Sequence, residues 1–169
     1  MELQLLRTDH CVSEIVSKYA DLVYRLCILY LKNTADAEDA FQDIFIKLYE
    51  KNPKFNDEEH LKAWLIQCTR NHCKNMLGSY WNKFRLSIDD VVLPIDNKRD
   101  SELVQYVMKL PFKYKTVIYL YYYEGYSILE ISKMLDIKEA TIRTQLKRGR
   151  ELLKKDLNDG GYENERYEV

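Results

Sequence analysis

The fold of the second half of this chain is decided by one stretch, Tyr126-Ser-Ile-Leu-Glu-Ile-Ser-Lys-Met-Leu-Asp-Ile-Lys-Glu-Ala-Thr-Ile-Arg-Thr-Gln-Leu-Lys-Arg-Gly-Arg-Glu-Leu-Leu-Lys-Lys155. Its apolar spacing predicts a short helix over residues 127–135, a turn over 136–138 and a longer helix from residue 139 onward. Ser127 and Glu130 have the spacing of a capping box at the start of the short helix. Asp136 falls where the chain must reverse, in a conformation that Asp tolerates better than most residues do.

The longer helix of this stretch has two chemically different faces. One face is predicted to be buried and carries Ile142, Leu146, Gly149 and Leu153. The opposite arc is polar and basic and carries Thr141, Arg143, Thr144, Lys147, Arg148, Arg150, Lys154 and Lys155. A helix of this kind, held at an angle by a short partner helix, suits a DNA major groove. An ordinary helical hairpin with a solvated basic face is the alternative that this stretch alone leaves open.

Composition favours helices and gives no sign of an enzyme. Hydrophobic residues make up 46% of the 169 residues, with only 5 Gly and 3 Pro, which favours helix over sheet. No run of about 18 apolar residues occurs, so no membrane span is predicted, and the N-terminus lacks the pattern of a signal peptide. The glycine-rich phosphate loop, the serine elbow and the His-Glu-x-x-His motif are absent from the sequence. We expect a cytoplasmic protein that is not an enzyme.

The cysteines do not predict a metal site. Cys-x-x-Cys does not occur among the four of them, Cys11, Cys27, Cys68 and Cys73. In a cytoplasmic protein such cysteines are expected to be reduced and mostly buried. His10-Cys11 and His72-Cys73 would supply four zinc ligands only if their two helices met. We therefore predict no metal and no other cofactor.

The net charge of −1 conceals blocks of alternating sign. Residues 36–59 contain eight acids against three lysines, whereas residues 60–86 contain five bases and no acid. Residues 138–155 carry seven bases against two acids, and residues 156–169 carry five acids against one arginine. Attraction to phosphate is screened beyond about 8 Å at physiological salt. The two basic blocks are therefore candidate nucleic-acid surfaces despite the total charge.

Three helices are predicted in the first half of the chain from apolar spacing. A helix over residues 13–31 is expected to bury Ile15, Tyr19, Leu22, Leu26 and Leu29. A helix over residues 35–51 is expected to bury Ala37, Phe41, Ile44, Phe45 and Leu48. A helix over residues 60–80 is expected to have a buried stripe made of Leu61, Leu65, Cys68, His72 and Met76. Trp64 lies beside this stripe and is expected to anchor the helix.

Two exposed rows on these helices are candidate binding surfaces. The second helix carries Asp36, Asp39, Gln42 and Asp43. Because the helix dipole favours acids near an N-terminus, a solvated face and a basic protein partner both explain this row. The third helix carries amides beside bases, followed by aromatic residues: Gln67, Arg70, Asn71, Lys74, Asn75, Tyr80, Trp81 and Phe84. This combination suits single-stranded or distorted nucleic acid, unless the aromatic residues belong to the core or to the edge of the domain.

The complete pattern predicts an all-α protein of two small helical domains joined by an acidic extended linker. The first domain covers residues 1–86, the linker residues 87–98, and the second domain, which contains the helix-turn-helix, residues 99–158. The acidic tail, residues 159–169, is expected to be disordered.

Two helices are predicted ahead of the helix-turn-helix. The first covers residues 99–110, and the second starts at Pro111, a residue favoured at the first helical position, and ends at Gly125. The second helix is expected to bury Tyr114, Val117, Ile118 and Tyr121.

Four motifs in this order resemble the extracytoplasmic-function (ECF) group of bacterial sigma factors. Ala35-Asp-Ala-Glu-Asp-Ala-Phe-Gln-Asp-Ile-Phe45 is similar to the helix by which that group binds core RNA polymerase. Lys62-Ala-Trp-Leu-Ile-Gln-Cys-Thr-Arg-Asn-His-Cys-Lys-Asn75 is similar to its promoter-melting and minus-ten segment. Leu110-Pro-Phe-Lys-Tyr-Lys-Thr-Val-Ile-Tyr-Leu120 and the helix-turn-helix resemble its minus-thirty-five domain. The resemblance covers residues 13–157, and the joint pattern is far more specific than a helix-turn-helix alone.

The resemblance implies an alternative sigma factor that binds core RNA polymerase and directs promoter-specific transcription initiation. It assigns binding to a basic coiled coil of the largest polymerase subunit to Asp36, Asp39, Gln42 and Asp43. It assigns minus-ten contacts to Lys62, Arg70, Asn71, Lys74 and Asn75. It assigns minus-thirty-five contacts to Lys138, Thr141, Arg143, Thr144, Lys147, Arg148 and Arg150. Promoter DNA and an anti-sigma factor are the further partners that it implies.

The chain departs from the usual pattern of that group at a few positions. Ser132 stands where the group usually has Ala, Asp136 where it has Gly, and Cys68-Thr69 where it has an aliphatic residue followed by Ala. The basic run over residues 80–85 is short, which leaves the minus-ten duplex contacts open. The main alternative is a helix-turn-helix transcription regulator with an N-terminal helical sensor or interaction domain. Residues 1–86 lack the alternating strands that a receiver domain would need.

Overall fold

The fold was analysed in a computed structural model, which describes residues 9–81 and 98–159. In this part of the chain there are seven α-helices and no strand, as the all-α prediction requires. The chain divides into two compact units after Leu93. The predicted linker and tail lie outside the described residues, apart from Lys98 and Asp159. Those two residues are helical, so a helix extends by one residue into each of the two predicted segments.

The first unit contains three helices: α1 (Asp9–Leu31), α2 (Thr34–Lys51) and α3 (Glu58–Trp81). Lys32 adopts a left-handed conformation between α1 and α2, with φ 58°. The Asn33 side chain then accepts a hydrogen bond from the backbone N–H of Asp36 at 3.1 Å and caps α2. A second left-handed residue, Asn52, ends α2. These two breaks let α2 fold back on α1 and let α3 follow.

Helix α1 packs against both α2 and α3. Its second half is therefore buried all round, and the fully enclosed side chains go beyond the predicted stripe: Val23, Leu26, Cys27, Ile28, Leu29 and Tyr30. Leu22, which the stripe included, is only half-buried. In α2 the buried residues include Ala40, whereas Phe41 is half-buried. A helix with neighbours on two sides does not keep the single apolar stripe on which the prediction relied.

The predicted stripe of α3 is wrong in its second half. Thr69 and Cys73 are completely buried, whereas Cys68, His72 and Met76 are half-buried. The buried face continues from Leu65 in steps of four residues. Thr69 can occupy it because its hydroxyl donates a hydrogen bond to the Leu65 carbonyl at 2.7 Å, so no polar group is left unpaired in the core.

The second unit contains α4 (Lys98–Lys109), α5 (Phe112–Tyr122), α6 (Ile128–Leu135) and α7 (Glu139–Asp159). Helix α5 contacts the other three helices, and every residue from Tyr114 to Leu120 is buried. Lys115 lies in this core and its Nζ donates to the Met108 carbonyl near the end of α4 at 2.8 Å. Tyr121, predicted to face inward, is 36% exposed, because the last turn of α5 emerges from the helices around it.

The predicted helix-turn-helix is formed by α6 and α7. The Ser127 hydroxyl accepts from the Glu130 backbone N–H at 3.2 Å, and the Glu130 carboxylate accepts from the Ser127 N–H at 2.7 Å, which completes the capping box. Asp136 takes the left-handed conformation at φ 54°. Ser132 donates to the Ile137 carbonyl at 2.6 Å across the turn. Ser132 and Asp136, two of the positions at which this chain departs from the usual ECF pattern, therefore support the same turn.

Candidate polymerase and DNA interfaces

The acidic row of α2 separates into a structural residue and an exposed group. Asp36 is half-buried, and its carboxylate accepts a hydrogen bond from Asn33 Nδ2 at 2.9 Å, so it takes part in the cap. Asp39, Gln42 and Asp43 are exposed. Their spacing of three and four residues places them on one face of the helix. This face presents two carboxylates and an amide to a partner.

Two exposed apolar side chains continue that face toward the C-terminal end of α2. Ile46 is 52% exposed and Tyr49 is 58% exposed. Ile46 lies three residues after Asp43 and Tyr49 three after Ile46, so both extend the same row. The sequence prediction did not include them. The available signal was that both are large apolar residues outside the predicted buried stripe of a helix that is otherwise polar on this side.

Asp43 connects this face of α2 to α3. Its Oδ2 lies 3.3 Å from Nε2 of His72, a nitrogen that is enclosed and has no aligned hydrogen bond. His72 is thus a contact between the two helices, which explains why it lies at the edge of the α3 core. The α2 face and the adjoining row on α3 are held in register by the packing of one domain.

The candidate minus-ten residues of α3 are exposed to different degrees. Asn71, Lys74 and Asn75 are exposed, whereas Lys62 and Arg70 are half-buried. Trp64 is half-buried and its ring lies edge-on to Phe55, with 5.9 Å between ring centroids, as expected of an anchor. The side chains of Tyr80, Trp81 and Phe84 lie outside the described residues. The structure thus places two exposed amides, Asn71 and Asn75, and one exposed lysine, Lys74, within five consecutive residues of α3.

All seven candidate minus-thirty-five residues are exposed. Six of them lie on α7, and Lys138 immediately precedes it. The buried back of α7 consists of Ile142, Leu146 and Gly149. A Cβ atom at Gly149 would lie 2.8 Å from Cγ1 of Ile118, so α7 approaches α5 too closely at this glycine for a side chain to fit without a shift. The helix is thus fixed by its back and presents its basic face outward.

Several polar side chains of α7 already have partners in the free protein. Arg143 forms an ion pair with Glu139 at 3.1 Å, one turn away on the same helix. Arg150 Nη1 donates to the Tyr122 hydroxyl at 3.3 Å. The Arg148 guanidinium and, more weakly, the Lys113 ammonium lower the pKa of Tyr114 through hydrogen bonds to its hydroxyl. One arginine of α7, Arg150, therefore rests on a tyrosine of α5.

The three cysteines whose side chains are described, Cys27, Cys68 and Cys73, belong to no cluster suited to a metal. Among the residues whose side chains are described, no group of three or more His, Cys, Asp or Glu residues could hold a metal ion. Cys27 and Cys73 are buried, and a hydrogen bond with Cys73, together with burial, raises the pKa of Cys27 far above its ordinary value. The Cys27 thiol is therefore protonated and unreactive. The side chains of His10 and Cys11 lie outside the described residues.

None of the helices in the described parts of the chain is long and apolar enough to cross a bilayer.

Comparison with known proteins places both units in one family. Residues 15–82 match the family model of sigma-70 region 2, and residues 100–153 match that of sigma-70 region 4. The ECF RNA polymerase sigma factor SigW of Bacillus subtilis is 32% identical in an alignment that covers 87% of this chain and 89% of SigW. The ECF sigma factor SigM of the same organism is 28% identical, over 88% of this chain and 96% of SigM.

Two solved structures share the fold. One is the sigma factor RpoE in complex with the anti-sigma factor NepR from Bartonella quintana, with a TM-score of 0.73 and 19% identity over 86% of this chain and 96% of that chain. The other is CnrH in complex with the cytosolic domain of CnrY, with a TM-score of 0.68 and 17% identity over 90% of each chain. Together with the family matches and the identity to SigW, the order and structure of the two units lead to one conclusion. The chain belongs to the extracytoplasmic-function group of RNA polymerase sigma factors, the alternative sigma factors that direct transcription initiation.

Proposed function

We propose that this sigma factor docks on core RNA polymerase mainly through the exposed face of α2 formed by Asp39, Gln42, Asp43, Ile46 and Tyr49. The observation that carries the proposal is the continuity of this face, on which exposed carboxylates lead directly into exposed apolar side chains. The carboxylates suit a basic coiled coil of the largest subunit, and complementary charge speeds and orients such an encounter. The two apolar side chains suit the centre of an interface, where burial contributes most.

The acidic face is tested by reversing one charge. Asp39 is the best target because it is exposed, whereas Asp43 also contacts His72. We expect Asp39→Arg to weaken binding to core polymerase by at least tenfold, since a like charge at such an interface costs several kcal/mol. Asp21→Arg is the matched control, because Asp21 is also exposed but lies on α1 and not on the α2 face. If both variants are folded and bind core polymerase with equal affinity, the α2 face is not the docking surface.

The proposed minus-ten surface is the exposed part of α3. Asn71 and Asn75 offer amide donors and acceptors to an unpaired base, and Lys74 offers a cation to the adjoining phosphate. Arg70 and Lys62 lie at the border of this surface, half-buried. Because His72 on α3 contacts Asp43 on α2, the polymerase face and this surface belong to one rigid packing unit. We infer that docking on polymerase carries the α3 row to the melted strand.

The proposed minus-thirty-five surface is the basic face of α7. Thr141, Arg143 and Thr144 occupy its first turns, where residues of a helix-turn-helix reach base edges. Lys147, Arg148 and Arg150 follow and suit the phosphates of the groove walls. Lys138 stands just ahead of the helix, where it would contact the flanking backbone.

The comparisons also suggest a regulator. RpoE is bound to an anti-sigma factor in the solved complex, and we propose that this chain is likewise held by one and acts in the cytoplasm. In this account the chain catalyses no reaction, and polymerase supplies the chemistry. A helix-turn-helix regulator with a sensor domain is not supported, because region 2 of sigma factors accounts for residues 15–82.

A further inference from the structure

Helix α7 lies in close contact with α5 at Gly149, and Arg150 beside that glycine pairs with a tyrosine of α5. The contact is Gly149 on Ile118, where an added Cβ would come within 2.8 Å of the Ile118 side chain. On α5, Tyr114, Ile118 and Tyr122 follow at steps of four residues and so lie along one stripe. On α7, Gly149 is flanked by Arg148 and Arg150, whose side chains leave the helix on its two sides.

Arg150 rests on the tyrosine at its side of the contact. Arg150 Nη1 donates to the hydroxyl of Tyr122 at 3.3 Å, although the two residues are 28 apart in sequence. Tyr122 is 52% exposed, and its ring packs edge-on against the ring of Tyr121 with 4.9 Å between centroids. The Tyr122 ring is therefore held at the surface of the unit and not in its core.

A tyrosine hydroxyl is well suited to hold an arginine for a phosphate. The hydroxyl oxygen accepts one guanidinium N–H and occupies only one of the five donors of arginine. The remaining donors stay available for a bidentate contact with phosphate oxygens. An arginine that is already ordered loses less side-chain entropy on binding than a freely rotating one does. The O–H proton of the tyrosine also remains available for the same phosphate.

We propose that Tyr122 is a positioning residue that holds Arg150 against a DNA phosphate. This makes α5 part of the DNA interface, although Tyr122 does not lie on the recognition helix. The inference rests on the proposed role of the α7 face in DNA binding. It adds a sequence-independent contact site to the base-reading residues at the start of that helix.

The test is a double-mutant cycle on the full chain assembled with core RNA polymerase. The probe is the duplex that the parent holoenzyme selects from a library with a randomised upstream element. Tyr122→Phe removes only the hydroxyl, and Tyr121→Phe is the matched control on the neighbouring exposed tyrosine. We expect Tyr122→Phe to weaken binding about two- to tenfold, as for loss of one hydrogen bond, with unchanged sequence preference. Arg150→Ala should reduce the salt slope by about one unit, and Tyr122→Phe by less.

The decisive result is the coupling between the two residues. Tyr122→Phe should add no further loss when Arg150 is already Ala, and Tyr121→Phe should have no effect in either background. A loss on Tyr122→Phe that is the same in both backgrounds, or no loss at all, would overturn the positioning role. An unchanged affinity of Arg150→Ala would overturn it as well. A parent holoenzyme that selects no upstream sequence would instead contradict the proposed function of α7.

Discussion

Gly149 shows how much one residue decides in this fold. It is the only member of the α7 back without a side chain, and it lies where a Cβ would meet Ile118 Cγ1 at 2.8 Å and Tyr114 Cβ at 3.6 Å. Because the clashing atom is close to the Ile118 backbone rather than at the free end of a long side chain, little relaxation is available. The glycine therefore sets the distance between α5 and α7 and, with it, the position of the recognition helix.

We expect Gly149→Ala to destabilise the protein. Overpacking of a core costs about 1–3 kcal/mol, which exceeds the gain of about 1 kcal/mol from replacing glycine by alanine inside a helix. Gly78→Ala is the control, because Gly78 lies in α3 and an added Cβ has no atom within 4 Å. Urea denaturation should show a lower free energy of unfolding for Gly149→Ala and a higher one for Gly78→Ala. A stabilised Gly149→Ala protein would mean that the helices do not meet at this glycine.

Helices α6 and α7 could be predicted from the sequence almost completely. Ser127, Glu130 and Asp136 are local signals that act through their own backbone, and tertiary packing did not alter them. The buried faces of α3 and α5 could not be predicted in the same way. Thr69 is buried only because its hydroxyl finds a carbonyl on its own helix, and α5 has no outer face over most of its length. Periodicity indicates one buried side and fails where neighbours surround a helix.

The candidate interfaces, too, could be predicted from the sequence only in part. Exposure was predicted correctly for the α7 residues, because a basic arc opposite an apolar one can only face water. The α2 face was predicted incompletely, because Ile46 and Tyr49 have the composition of core residues and only the fold shows that nothing covers them. The pairs that link helices, Asp43 with His72 and Arg150 with Tyr122, depend on tertiary structure and have no signal in the sequence.

On α7 we expect the first turns to read bases and the later ones to hold phosphates. Arg143 is tied to Glu139 in the free protein, but an exposed pair of this spacing contributes only about 0.3–0.5 kcal/mol and is easily released. Arg143→Ala should therefore change which upstream sequences are preferred, at about 1–3 kcal/mol for the base concerned. Arg150→Ala should weaken all sequences about equally. Binding selection on randomised upstream elements measures both effects, and an unchanged preference in Arg143→Ala would transfer base reading to Thr141 and Thr144.

At the scale of the whole molecule, the chain is two units with separate cores. The second unit buries its own set of apolar side chains, among them Val104, Val117, Ile131 and Ile142. A fragment of residues 98–159 should therefore fold alone and bind duplex DNA weakly, with a steep dependence on salt. Circular dichroism and a salt titration of duplex binding test this directly. A fragment without helical signal would show that the second unit needs the first.

The central claim is that this chain gives polymerase its choice of promoter. The most direct measurement is run-off transcription with purified core RNA polymerase and fragmented genomic DNA from the source organism, with and without the chain. We predict discrete transcripts that require the chain, that persist with Asp21→Arg and that are lost with Asp39→Arg. A transcript pattern identical to that of core polymerase alone, obtained with folded chain present, would contradict the account.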